Sequence, residues 1–178
     1  MKSGLLSKPS PQANQLLVTP AREAYWGRRR LRCAVGSSGI VTDKREGDGG
    51  TPAGTWPMRE VLFRADRLGE IVSALPTREL APGDGWCDDP ADPAYNRPVR
   101  LPYWAHCEEL WLEDRVYDLI VPLGYNDDPV VPGRGSAIFL HVARPDYTPT
   151  AGCVALALAD LLTVLREIRP GAVVRIVS

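Results

Sequence analysis

Apolar residues come in short bursts between turn-forming residues, a pattern that predicts short strands rather than long helices. Asn14 to Thr19 and Leu31 to Val35 read as strands, closed by Pro20 and by Gly36-Ser37-Ser38-Gly39. The pair Ile40-Val41 runs into Thr42 to Gly50, where charge and glycine exclude a regular element and let the backbone approach another group closely. Glu60 to Arg64 is a further strand. Residues 76–102 are punctuated by prolines from Pro76 to Pro102, and a loop of that length is expected to form a lid or a cleft wall. Glu108 to Glu113 and Arg115 to Pro122 are expected to pair as a hairpin around Glu113-Asp114. Gly124 to Gly135 reads as a loop, and Ala137 to Val142 as a buried strand. The period then changes. Leu158, Leu161, Leu162, Leu165 and Ile168 mark one face of a helix, which Pro170-Gly171 stops before a last strand over Ala172 to Val177.

Composition narrows the picture. At 178 residues the chain fits one domain, expected over 14–178, behind a loose polar tail over 1–13 with Pro9 and Pro11. Seventeen prolines and sixteen glycines require many turns, which favours a mainly β fold with one or two helices over a helix bundle. A net charge of −1 without a basic half argues against nucleic-acid binding. No eighteen-residue apolar window suggests a membrane span, and Leu5-Leu6 with Leu16-Leu17-Val18 does not make a secretory core. The expected location is therefore cytoplasmic, or the cell envelope if a leader precedes this sequence. Cys33, Cys87, Cys107 and Cys153 show no CxxC spacing, so Cys33 and Cys107 read as structural thiols.

Candidate chemistry gathers at His141 and Cys153. A strand delivers the histidine, a loop with two prolines follows, and Thr150-Ala151-Gly152 presents the cysteine. A thiol attacks a carbonyl as thiolate, and a histidine in reach can take its proton and return it to a leaving amine. Gly152 permits a tight turn that points successive backbone N–H groups at one spot, as an oxyanion needs. A helix N-terminus directly after Cys153 would favour the thiolate. On pattern alone, a buried core histidine remains an open alternative.

These residues resemble the catalytic signature of the YkuD-type L,D-transpeptidases, in the compact ErfK/YbiS-like branch. The match rests on His141, on Thr150-Ala151-Gly152-Cys153, and on the turn Thr51-Pro52-Ala53-Gly54 followed by Thr55-Trp56. The piece Asp88-Asp89-Pro90 to Tyr95-Asn96 is similar as well. The resemblance implies a mixed β-sandwich with a helix after the cysteine. It implies an enzyme, an L,D-transpeptidase, that attacks the diaminopimelate–D-alanine bond of a peptidoglycan stem tetrapeptide through a cysteine thioester. Hydrolysis of the same bond, as a cytoplasmic L,D-carboxypeptidase in muropeptide recycling, is the alternative. Cys153 would be the nucleophile, His141 the base, Gly152 and Cys153 the oxyanion donors, and the Val142 carbonyl the group that orients the histidine.

The match departs at Ala151, where many relatives have histidine, and at Ala155, where many have arginine. Arg144, Arg134 or Lys44 with Arg45 would have to receive the substrate carboxylate in its place, with Thr150, Tyr125 and Trp86 as further substrate contacts. No cofactor is implied, and the chain is expected to act as a monomer on a stem peptide or muropeptide. Two rival readings are a zinc protein using His106, Cys107, His141 and Cys153, and a non-catalytic wall-binding domain.

Overall fold

The computed structural model describes residues 14–178, so the tail expected over 1–13 lies outside the described residues. The first part of the chain forms β1 (Gln15–Val18), β2 (Glu23–Trp26), β3 (Arg29–Ala34), β4 (Ile40–Val41), β5 (Thr51–Pro52), β6 (Gly54–Pro57), β7 (Val61–Phe63) and the one-turn helix α1 (Ala65–Leu68). Then come β8 (Thr77–Glu79), β9 (Asp84–Cys87), β10 (Pro98–Arg100), β11 (Cys107–Glu109), β12 (Leu119–Pro122) and β13 (Phe139–Val142). The chain closes with β14 (Val154–Leu156), α2 (Leu158–Glu167) and β15 (Val173–Ile176). The fold is mainly β with two helices, as the turn-rich sequence predicts. Among the described residues, no helix is long and apolar enough to cross a membrane.

Ten strands form one mixed sheet in the order β6-β15-β1-β2-β3-β14-β13-β12-β7-β8. The sheet curls until its halves face each other. Leu16, Val18 and Val174 of one half share a core with Leu119, Val121 and Leu140 of the other, and Leu161, Val164 and Leu165 of α2 pack into it. The expected sandwich is thus two halves of a single sheet. Each such aliphatic side chain contributes roughly 1.5–3 kcal/mol by leaving water.

Alternation along β13 decides where the chemistry sits. Leu140 and Val142 enter that main core. Phe139 points to the opposite face, into a second cluster with Leu62, Trp86, Tyr117, Ile120 and Cys153. His141 has the parity of Phe139 and therefore shares that face. A small sheet, β10-β9-β11, covers it.

The proline-rich stretch is consequently not a bare loop: it carries β8, β9 and β10, and β9 is the centre of the small sheet. The hairpin expected around Glu113-Asp114 does not form. β11 pairs with β9, whereas β12 pairs with β13 and β7. Asp114 accepts the Val116 N–H at 3.1 Å and caps a tight helical turn over Arg115–Tyr117, so the chain turns into a new layer instead of folding back. The helix N-terminus expected at Cys153 is also displaced. Val154–Leu156 pairs between β13 and β3 first, and α2 starts only at Leu158.

Candidate active site

Cys153 ends a loop that is clasped on both sides. Thr150 N–H donates to the Val35 carbonyl at 3.0 Å, and Ser37 N–H donates to the Thr150 carbonyl at 2.9 Å. The Cys153 carbonyl accepts the hydroxyls of Thr150 (2.6 Å) and Thr51 (3.4 Å), and Thr51 Oγ1 also accepts the Gly36 N–H at 2.7 Å. The Thr51-Pro52 turn is therefore a brace for Cys153. Gly152 adopts φ +144°, and a Cβ there would lie 2.9 Å from the Gly50 carbonyl oxygen, so only glycine fits without strain.

The sulfur itself is held by β13 and the residues before it. Sγ accepts the Phe139 N–H at 3.3 Å and donates to the Ala137 carbonyl at 3.2 Å. Ala137 has φ +51°, a left-handed conformation for which alanine needs outside support. Asn96 gives it: its Oδ1 accepts from Ala137 N–H (3.1 Å) and from Trp86 Nε1 (2.9 Å), while Nδ2 donates to the Asn126 carbonyl at 2.7 Å. The β9–β10 connection, through Asn96, thus sets the conformation of the carbonyl that receives the thiol proton.

His141 lies level with Ala155 in the parallel β13–β14 pair, two residues beyond Cys153, which directly precedes β14. Its Nδ1–H donates to the Val142 carbonyl at 2.9 Å, which leaves the lone pair on Nε2. Tyr117 packs edge-on against the imidazole, with centroids 5.3 Å apart. Burial holds the ring down to about pH 4 for its titration, although the Val142 carbonyl at Nδ1 favours the charged form. Burial pushes the Cys153 thiol up to about 12, the negative charge of Glu108 adds to this, and the Phe139 N–H opposes it. At neutral pH the pair is an uncharged thiol and an uncharged imidazole. Among the hydrogen bonds of the described residues none joins Sγ to the ring, so proton transfer requires the thiol to leave Ala137 and turn to Nε2.

Both side chains open on one cavity of about 520 Å³. Its far wall belongs to the small sheet: Asp88, His106 and Glu108 line it together with Tyr117. Burial raises the Glu108 carboxyl, and it accepts the Tyr117 hydroxyl in a short hydrogen bond. Glu46, on the loop before β5, accepts the hydroxyls of Tyr95 and Ser136. Arg144 lines the mouth and bonds Asp114 at 2.7 Å.

The structure brings Cys153, His141, Gly152, Thr150, Lys44 and Arg144 together around this cavity. Lys44 is buried and engaged by Asp48 (2.5 Å) and the Arg45 carbonyl (2.7 Å). Arg45 turns away to Asp43 at 3.1 Å, and Arg134 lies 3.9 Å from that same carboxylate. Tyr125 donates to the Arg134 carbonyl and stands edge-on to Trp56, outside the cavity. Trp86 packs on Phe139 with centroids 5.1 Å apart and is a wall support rather than a lining residue. The Gly152 N–H donates to Thr150 Oγ1 at 3.1 Å, which leaves the Cys153 N–H as the candidate oxyanion donor. Sequence reasoning missed Glu108, Tyr117, Thr51 and Asn96 as site residues. The threonine had a signal, its place in the quoted turn, whereas the others become neighbours of Cys153 only through strand pairing. No group of three or more potential metal ligands is gathered among the described residues.

Residues 12–176 match the family YkuD, described as an L,D-transpeptidase catalytic domain. A solved structure, an L,D-transpeptidase from Mycobacterium smegmatis, is similar at a TM-score of 0.42 and 10% identity, over 92% of this chain and 58% of that one. No curated protein matches.

Proposed function

This chain belongs to the YkuD family of L,D-transpeptidase catalytic domains, and from that membership we propose that it transfers the acyl group of a peptidoglycan stem tetrapeptide through Cys153. The observation that carries the proposal is the shared cavity of Cys153 and His141, with the thiol held by Phe139 and Ala137 and the imidazole by Val142.

In the first step the thiol turns from Ala137 and gives its proton to Nε2 as sulfur attacks the carbonyl at the L-centre of diaminopimelate. Attack coupled to proton transfer suits a pair that is neutral at rest, because a free thiolate is scarce when burial holds the thiol near 12. The oxyanion takes the Cys153 N–H. The imidazolium then protonates the departing D-alanine nitrogen, the C–N bond breaks, and a thioester remains. An acceptor amine attacks the thioester, His141 takes its proton, and the sulfur leaves with that proton as the thiol. Water in the amine's place makes the same cycle a carboxypeptidase. Arg144 at the mouth is the cation for a substrate carboxylate: although it bonds Asp114, it is half exposed, whereas Lys44 is buried and paired with Asp48 inside the wall.

Incubation with a diaminopimelate-containing tetrapeptide, with and without a D-amino acid, separates these outcomes by mass spectrometry. A tetrapeptide carrying the added D-amino acid supports transfer. Tripeptide alone under both conditions identifies a hydrolase, and unchanged substrate refutes acyl transfer altogether. Arg144→Ala is expected to raise KM about tenfold with little change in kcat, as the loss of one charged hydrogen bond implies.

A further inference from the structure

Cys87 and Cys107 are direct register partners in the antiparallel β9–β11 pair, one at the end of β9 and the other at the start of β11. Both main-chain groups of Cys87 face away from β11: its N–H donates to the Arg97 carbonyl at 2.9 Å, and its carbonyl accepts the Asn96 N–H at 2.8 Å. On the β11 side the neighbouring residues bond instead, with Asp88 N–H donating to the His106 carbonyl at 3.3 Å. The two cysteines therefore form a non-hydrogen-bonded cross-strand pair, the kind with the closer Cα atoms, about 4.5 Å apart. That separation lies within the range of roughly 4.4–6.8 Å that a disulfide spans. Both are free thiols, and Cys107 Sγ donates only weakly, to the Ala105 carbonyl at 3.5 Å.

Their position gives the pair a consequence for the site. Asp88 follows Cys87, and His106 and Glu108 flank Cys107; all three line the cavity of Cys153. Asp88 and His106 are themselves joined across the strands at 2.5 Å. A covalent bond here would fasten the cavity wall from behind without touching the nucleophile.

We propose that Cys87 and Cys107 are a reversible redox pair that closes into a cross-strand disulfide and locks the wall of the catalytic cavity. The oxidant is a low-molecular-weight disulfide. Cys107, the half-buried member, attacks it as thiolate and expels one thiol, which leaves a mixed disulfide. Cys87 then loses its proton and attacks the Cys107 sulfur, and the second thiol leaves. Two protein thiols become one disulfide, and the oxidant is reduced to two thiols. Burial raises both thiols, Cys107 to about 11, so closure is faster at alkaline pH. The proposal stands on the pairing of β9 with β11 and does not rest on the enzymatic reading.

The test is incubation of the reduced protein with oxidised glutathione at pH 8, followed by thiol titration in denaturant and peptide mapping. The expected result is a Cys87–Cys107 linked peptide, loss of two of the four titratable thiols, and a melting temperature roughly 5–10 °C higher that dithiothreitol reverses. Cys107→Ser is a mild change at a half-buried position, and it is expected to abolish both the link and the shift. Four titratable thiols after oxidation, a link through Cys33 or Cys153, or a glutathione adduct on Cys107 that never resolves would each overturn the proposal.

Discussion

The resting pair of Cys153 and His141 is electrically neutral, and two pH dependences follow. The histidine's folded value is depressed, to about 4 from the ordinary 6.5. A neutral buried imidazole thus contributes stability above 6.5 that is lost as pH falls through 4. At about 1.4 kcal/mol per unit, roughly 3 kcal/mol disappears over that window, and His141→Gln is expected to flatten it in urea titrations at pH 7 and pH 4. The thiol runs the other way, raised from 9.0 to about 12 by burial first and by the Glu108 charge second. Alkylation of Cys153 by iodoacetamide should therefore be slow at pH 7 and climb steadily to pH 10. Glu108→Gln removes the charge and should speed alkylation at pH 8 several-fold, whereas an unchanged rate would show that Glu108 is protonated there. Gly152→Ala meets both φ +144° and the Gly50 carbonyl at 2.9 Å, so it is expected to cost about 1–3 kcal/mol and most of the activity.

At the scale of elements, what could be read in the sequence depended on whether local signals or pairing decide the outcome. β1, β3, β7, β13, α2 and β15 follow from apolar runs and helical spacing, because each buries a face that local pattern already announces. The β2 strand shows alternate burial over Glu23–Trp26, yet its polar positions and short length hid that alternation. β14 escaped because three apolar residues between a glycine-cysteine turn and a helix carry no strand signature; the parallel partner β13 makes the strand. The failed hairpin has a similar cause. The cap at Asp114 is local, but the choice of β9 over β12 as partner for β11 depends on residues far apart in the chain. Cys153 and His141 were legible as a motif, and Glu108, Tyr117 and Asn96 were not, since layers bring them to the cavity. Asn96→Ala tests that arrangement. It removes the acceptor for Ala137 N–H and Trp86 Nε1 and two buried donors, and a loss of about 2–4 kcal/mol in chemical denaturation is expected, with lower activity at every pH.

For the whole molecule, one curled sheet separates two tasks. Its inner face holds the main core with α2, and its outer face carries Phe139, His141 and Cys153 under the small sheet. Cys153 at that seam is held from the sheet below and faces the wall above. The absence of arginine at Ala155 is consistent with this layout. Ala155 is buried in β14 between β13 and β3, whereas Arg144 on the loop after β13 and Lys44 bring cationic side chains to the cavity. The central claim is that Cys153 carries the acyl group. Rapid quenching of the enzyme with tetrapeptide, followed by peptide mapping, tests it most directly. The account predicts a tripeptidyl thioester on the peptide containing Cys153, absent in Cys153→Ala. Turnover of the tetrapeptide by Cys153→Ala, or an acyl group on any other residue, would contradict it.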